Sequence, residues 1–310
     1  MTRNIASFIF LVLCHASSIA QDGSSNDFAA DLQQLIKINP GSGSMDFSGP
    51  AAVHLEKATP KEIIAITAPY HTGPANAKDV CFYQLSYALQ RKETDPKTRK
   101  EIVEIICKYY LTSERECQSH DNILLTLQAS DFNSHAKKYI AGLMDIVPKI
   151  STDICARLSA VAQERKQIPV LWELVNKDPK TMQLSDIDIL ASLARLGEDK
   201  AADLLCDHYN IIRTQRNPVL IGGYVHLRFA ENFAFSLHEK VLRCMIDDLK
   251  TFDPDYSIRG SDYFFYPSGV LGGSIVSMLK NYPYKNNFQL NIHQLLDWLN
   301  STDKYLMKDK

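Results

Sequence analysis

Apolar residues recur three and four positions apart along most of this chain, the spacing that lines one face of an α-helix. Ile102, Ile105, Ile106 and Tyr109 form one stripe, Ala136, Tyr139, Ile140 and Leu143 a second, and Ala201, Leu204, Leu205 and His208 a third. Between Asp186 and Leu196 two stripes interleave, Ile187/Leu190/Ala191/Ala194 and Ile189/Leu193/Leu196, so this helix must be covered on two sides. Alternating strand patterns are nearly absent. The pattern predicts an all-α fold.

Helix-start signals divide the stripes. Thr59-Pro60-Lys61-Glu62 offers an N-cap, a proline at the first helical position and a glutamate able to close a capping box. Asp95-Pro96 and Ser236-x-x-Glu239 repeat that logic, with Ser151 and Ser185 as further caps. The helices come in pairs joined by short turns: Lys78–Arg91 with Lys97–Leu111, His120–Ala129 with His135–Val147, Thr152–Gln163 with Ile168–Asn176, and Asp186–Leu196 with Asp199–Tyr209. Second members start at Lys97, His135, Ile168, Lys200 and Ser236, spacings of about 38, 33, 32 and 36 residues. A near-constant period of that size is the mark of stacked helical hairpins.

One unit carries a family likeness. The run Ile189-Leu190-Ala191-Ser192-Leu193-Ala194-Arg195-Leu196-Gly197-Glu198-Asp199-Lys200-Ala201-Ala202-Asp203-Leu204-Leu205 resembles the helix, glycine, acidic turn and helix of HEAT repeats. There the glycine reverses the chain and the acidic residue caps the following helix. The resemblance is to the repeat and names no activity. It implies a right-handed α-solenoid of antiparallel hairpins over residues 59–310, while hairpins closed into an α/α toroid are the alternative.

The chain's start reads differently. Arg3 precedes an apolar stretch from Ile5 to Leu13, too short to span a bilayer, and Ser18-Ile19-Ala20 carries small residues where a signal peptidase reads. Cleavage is expected between Ala20 and Gln21, giving a secreted or periplasmic protein with no membrane span. Residues 21–58 then read as a tether with one short helix, Phe28 to Ile38, loosening at Pro40-Gly41-Ser42-Gly43-Ser44.

That address changes how the cysteines are read. Six remain after the signal: Cys81, Cys107, Cys117, Cys155, Cys206 and Cys244. An even count in an oxidising compartment points to disulfides, and six cysteines allow about 15 complete pairings. Cys81 and Cys107 lie about equally far from the turn near Thr94, at one height in two antiparallel helices. Cys117/Cys155 and Cys206/Cys244 are each about one repeat apart. The expected set is therefore Cys81–Cys107, Cys117–Cys155 and Cys206–Cys244, with Cys107–Cys117 as the competing pair. Cys117-x-x-His120 and Cys206-x-His208 lack a second ligand pair at zinc-site distance, and no metal is expected.

Composition adds one exclusion. The 310 residues hold 34 Lys and Arg against 36 Asp and Glu, a net charge of -2, so a nucleic-acid binder held by bulk charge is disfavoured. No H-E-x-x-H, G-x-S-x-G or phosphate-loop pattern occurs. The glycine pairs Gly222-Gly223 and Gly272-Gly273 read as close helix packing, and no cofactor is implied.

One stretch looks built for contact. Thr251 to Ser268 is a long insertion between helices, and it brings together Tyr256, Arg259, Asp262, Tyr263, Phe264, Phe265 and Tyr266. Tyrosine and arginine are the residue types that anchor protein interfaces. The same run read structurally is a cap on the solenoid's end. Function is therefore expected to be non-enzymatic binding of a protein partner, an immunity protein that neutralises a toxin being a narrower version. The toroid alternative would use Asp253, Asp255, Asp262 and Tyr263 in polysaccharide chemistry.

Overall fold

The computed structural model describes residues 28–40, 46–109, 127–143, 152–178, 180–214, 229–251, 258–259, 264–265, 267–284, 291–302 and 304–308. Among these the fold is all-α apart from one two-residue ladder. The helices are α1 (Phe28–Ile38), α2 (Pro50–Leu55), α3 (Pro60–Thr67), α4 (Ala75–Gln90), α5 (Pro96–Tyr109), α6 (Ser134–Leu143), α7 (Thr152–Val161), α8 (Ile168–Leu174), α9 (Leu184–Arg195), α10 (Asp199–Thr214), α11 (Glu239–Thr251), α12 (Pro267–Met278) and α13 (Ile292–Ser301). Residues 229–236 are helical as well. The ladder pairs β1 (Ile258–Arg259) with β2 (Phe264–Phe265).

The predicted stripes are buried. Both stripes of α9 are covered, with Ile187, Leu190, Ala191, Ala194, Ile189, Leu193 and Leu196 all inside. Helix α9 packs on α7, α8 and α10 at once, which is why an apolar face on one side would not have sufficed. Ile102 and Ile106 of α5 are fully inside while Ile105 and Tyr109 lie against the core from its edge.

Two start signals act as expected. Thr59 receives the Glu62 N–H at 3.3 Å and Glu62 accepts the Thr59 N–H at 2.7 Å, closing the capping box at α3. Asp95 accepts the N–H groups of Lys97 and Thr98, each at 3.0 Å, at the start of α5. Two others depart from expectation, and a third is not described. Ser151 lies outside the described residues. Ser185 sits one residue inside α9, and the cap is formed instead by Asp186 reaching back to the Gln183 N–H at 2.7 Å. Ser236 closes the preceding helix by donating to the Phe233 carbonyl, and α11 starts only at Glu239 with His238 before it. A serine hydroxyl that bonds back three residues is no longer free to cap the next helix.

The glycine of the repeat-like unit does what its backbone freedom allows. Gly197 has φ 98°, its N–H donates to Ala194 O at 2.9 Å, and the Glu198 N–H donates to Leu193 O at 3.0 Å. These two bonds end α9 in a left-handed turn that any residue with a Cβ would strain, and they release the chain into α10 two residues later. Gly272 is buried in α12, while Gly273 beside it departs from the packing expectation, with nothing within 4 Å of where a Cβ would be. There glycine costs about 1 kcal/mol of helix propensity with no packing return. Gly222 and Gly223 lie outside the described residues.

The segment before Thr59 carries two helices rather than one. Phe28, Leu32 and Leu35 of α1 and Ala51, Ala52 and Leu55 of α2 are buried together, and α1 packs on α2, α3 and α4. His54 of α2 meets Asp31 of α1 at 2.5 Å. The main helix contacts run in chain order throughout: α4 on α5, α5 on α6, α6 on α7, α7 on α9, α9 on α10, α10 on α11, α11 on α12 and α12 on α13.

Candidate partner-binding surface and cysteine pair

The aromatic insertion is held at its base by two packed helices. Helix α11 buries Val241, Leu242, Met245, Ile246 and Leu249 and is tied to α10 by the Tyr209 hydroxyl, which donates to the buried Asp248 carboxylate. Helix α12 packs against α11 with Leu271, Ile275 and Met278 inside. The far end of α12 is clamped by the chain terminus: Lys280 N–H donates to Leu306 O at 2.6 Å and Lys308 N–H to Met278 O at 2.8 Å. Beside that clamp Trp298 meets Tyr282 edge-on and Tyr305 at a tilt, with ring centroids 5.2 and 6.0 Å apart.

Between these helices β1 and β2 run antiparallel, Ile258 opposite Phe265 and Arg259 opposite Phe264. Three of the expected contact residues, Arg259, Phe264 and Phe265, are thus brought into one backbone register. Tyr256, Asp262, Tyr263 and Tyr266 lie outside the described residues, as do Asp253 and Asp255 of the carbohydrate reading. So does the signal segment.

The cysteines separate into two kinds. Cys81, Cys107 and Cys155 are buried in the helical core, whereas Cys206 and Cys244 are half-buried. All five stand as thiols, so neither Cys81–Cys107 nor Cys206–Cys244 is joined, and Cys117 lies outside the described residues. Burial pushes the Cys107 thiol up to about 12. Cys206 of α10 and Cys244 of α11 face one seam, with Lys240 on Asp203 one turn before them and Tyr209 on Asp248 one turn after. Hydrogen bonding with Cys244, then burial, then the negative charges of Asp203 and Asp207 push the Cys206 thiol far above its ordinary range. Lys240 beside them is held by Asp203, with both carboxylate oxygens 2.9 Å from its Nζ.

A shallow trough of about 440 Å³ lies along the start of α5, lined by Pro96, Lys97, Lys100, Glu101, Glu104 and Asn133. Glu104 accepts from Asn133 at 2.6 Å and stands 3.3 Å from Nδ1 of the exposed His135. It is open to solvent and lined by the aliphatic stems of charged side chains rather than by aromatic or branched apolar ones, unlike a small-molecule pocket. Among the described residues no group of three or more His, Cys, Asp or Glu is placed to hold a metal ion. Nor is any helix among them long and apolar enough to cross a membrane.

Three buried histidines among the described residues pack within the fold. His208 is buried and tilts against Phe229 at 5.6 Å, and His238 is buried with Nε2 3.1 Å from Asp199. His71, buried over Tyr109, is held below its ordinary pKa by desolvation and by Lys108.

The sequence reading missed the most highly charged part of the interior. Arg157 of α7 is 1% exposed and pairs with Asp188 of α9 at 2.9 Å and Asn232 at 3.1 Å. Arg195, also buried, donates to Phe235 O at 3.1 Å. Both guanidinium groups lie over the Phe235 ring, at 5.1 and 4.8 Å. Desolvation pulls Arg195 down to about 10. No family model, no curated protein and no solved structure matches the chain.

Proposed function

We propose that this protein is an extracytoplasmic, non-enzymatic binding protein that presents a HEAT-like α-solenoid surface to a protein partner, with the insertion at 251–268 as its anchor. The observation that carries the reading is the insertion's setting. An arginine and two phenylalanines are drawn into one antiparallel register between two helices whose other faces are fixed in the core. Rigid support lowers the ordering cost of an aromatic contact surface, which is where binding energy concentrates.

Two features favour an open stack over a closed ring. Among the described residues every main helix contact joins elements near one another in the chain, and no main contact joins α1–α5 to α11–α13. A toroid needs its first and last hairpins to meet. The reversal at Gly197 is also the one the repeat resemblance calls for. A toxin-neutralising immunity role is a narrower form of this proposal.

The test is capture. Immobilised mature protein is expected to retain a specific partner from an extracytoplasmic extract, and Tyr263→Ala with Phe265→Ala is expected to weaken that complex about 30-fold, or 2 kcal/mol, with helical circular dichroism unchanged. If the double variant binds equally, the insertion is not the anchor. If it loses cooperative unfolding, the insertion is a structural cap. The address is tested separately: intact mass of exported protein is expected to place its first residue at Gln21, and retention of Met1 would overturn the cleavage.

A further inference from the structure

Of the two expected disulfides that lie within the described residues, the structure prepares one. Cys206 and Cys244 stand on two packed helices between two contacts in matching register, Lys240 to Asp203 one turn before them and Tyr209 to Asp248 one turn after, so both cysteines face one seam. Disulfide formation asks for this approach before any backbone movement. Both are half-buried, so a reagent can reach them, while Cys81, Cys107 and Cys155 are sealed in the core at 1% exposure or less. We propose that Cys206 and Cys244 are a disulfide-forming pair that staples α10 to α11 and is, among the described cysteines, the accessible site of thiol oxidation.

The chemistry is thiol–disulfide exchange with a disulfide donor, either oxidised glutathione or the disulfide of an oxidoreductase. The thiolate of one cysteine attacks a donor sulfur, the donor's S–S bond breaks, and its other sulfur leaves as a thiolate. The second cysteine, having lost its proton, then attacks the protein-side sulfur of the mixed disulfide and expels the remaining donor sulfur. Two thiols of this chain are oxidised, two protons are released to the donor's thiolates, and the donor is reduced by two electrons. The flanking carboxylates of Asp203 and Asp207 disfavour thiolate at this spot, so exchange without a catalyst is slow.

The consequence reaches the insertion. Cys244 lies two turns before Thr251, where α11 ends and the insertion begins. A bond closing about 38 residues removes freedom from the unfolded chain and fixes α11 against α10. This inference stands apart from the partner-binding proposal, because it concerns the covalent state of the free protein.

The mature chain is to be reduced, incubated with oxidised glutathione, alkylated with iodoacetamide and digested with trypsin without reductant. The expected product is residues 201–213 linked to residues 244–250, with Cys81, Cys107 and Cys155 alkylated only after unfolding. The oxidised protein is also expected to melt several degrees above its reduced form, a difference absent from C206S and C244S. Both peptides recovered unlinked and alkylated, or either linked to another cysteine, would overturn the proposal. The mapping uses the wild-type chain, so a variant that folds poorly leaves the test intact.

Discussion

Asp188→Ala is expected to destabilise the fold by about 3–5 kcal/mol, against a change of about 1 kcal/mol or less for Arg195→Met. The two residues share α9 but stand in opposite electrostatic positions. Asp188 neutralises Arg157, whose side chain is 1% exposed and whose Nε has no hydrogen-bond partner among the described residues. Removing the carboxylate leaves a guanidinium in the interior with Asn232 and the Phe235 ring as its neighbours among those residues. An uncompensated buried charge costs more than the pair contributes, which sets the size of the loss.

Arg195 starts from the other side of that ledger. With a folded pKa near 10 against an ordinary 12.5, it binds protons less readily folded than unfolded. Its charge therefore opposes folding at every pH below about 10, and the opposition fades as pH rises from there toward 12.5. At neutral pH the shift corresponds to a cost on the order of 3 kcal/mol. The stacking on Phe235, worth about 2 kcal/mol when desolvated, and the bond to Phe235 O offset most of it. Methionine keeps much of the volume and removes both sides together. Urea denaturation of the two variants at neutral pH measures the contrast; equal losses would show that Asp188 is not what holds Arg157 in the core.

The charged core explains where sequence reading stopped. Helical periodicity located α4, α5, α9 and α10 because their apolar stripes face neighbours, and the Thr59 and Asp95 caps and the Gly197 turn are local backbone chemistry. Buried charge has no such local signature. One signal was nonetheless present in α9. Its two apolar stripes leave Asp188, Ser192 and Arg195 as a third face at helical spacing, and a helix covered all round must turn that face inward too. All three are buried, as that geometry requires. Arg157 carries no comparable mark, since its partners lie 31 and 75 residues away. The cysteine pairings failed to resolve for a related reason: repeat spacing sets height along a helix but not rotation about it. Cys206 and Cys244 share one seam because Lys240 meets Asp203 and Tyr209 meets Asp248 on either side of them, contacts between distant residues that spacing does not reveal.

Phe233→Ala is expected to cost about 3–5 kcal/mol and to loosen the joint that carries the insertion. Phe233 is fully buried in the 229–236 helix, where Phe229 stands one turn before it. Its ring meets Tyr209 at 5.2 Å and Phe229 at 5.7 Å, both edge-on, and Tyr209 meets Phe229 at 5.3 Å. Each edge-to-face contact adds about 0.5–1.5 kcal/mol to the area buried, so the truncation loses two such contacts and leaves a cavity between three helices. The coupling outward runs through Tyr209. Its ring is held by the two phenylalanines and its hydroxyl donates to Asp248, one turn before α11 gives way to the insertion. Removing Phe233 frees the Tyr209 ring, while Tyr209→Phe keeps the ring contacts and deletes only the bond to Asp248. The truncation is therefore expected to lower the denaturation midpoint about twice as far as Tyr209→Phe, whose loss is about 1–3 kcal/mol for a hydrogen bond to a buried carboxylate. Hydrogen exchange along α11 distinguishes the two routes. Faster exchange at residues 245–251 in both variants would show that the aromatic cluster positions the insertion's base through Tyr209, and unchanged exchange there would limit Phe233 to filling the core.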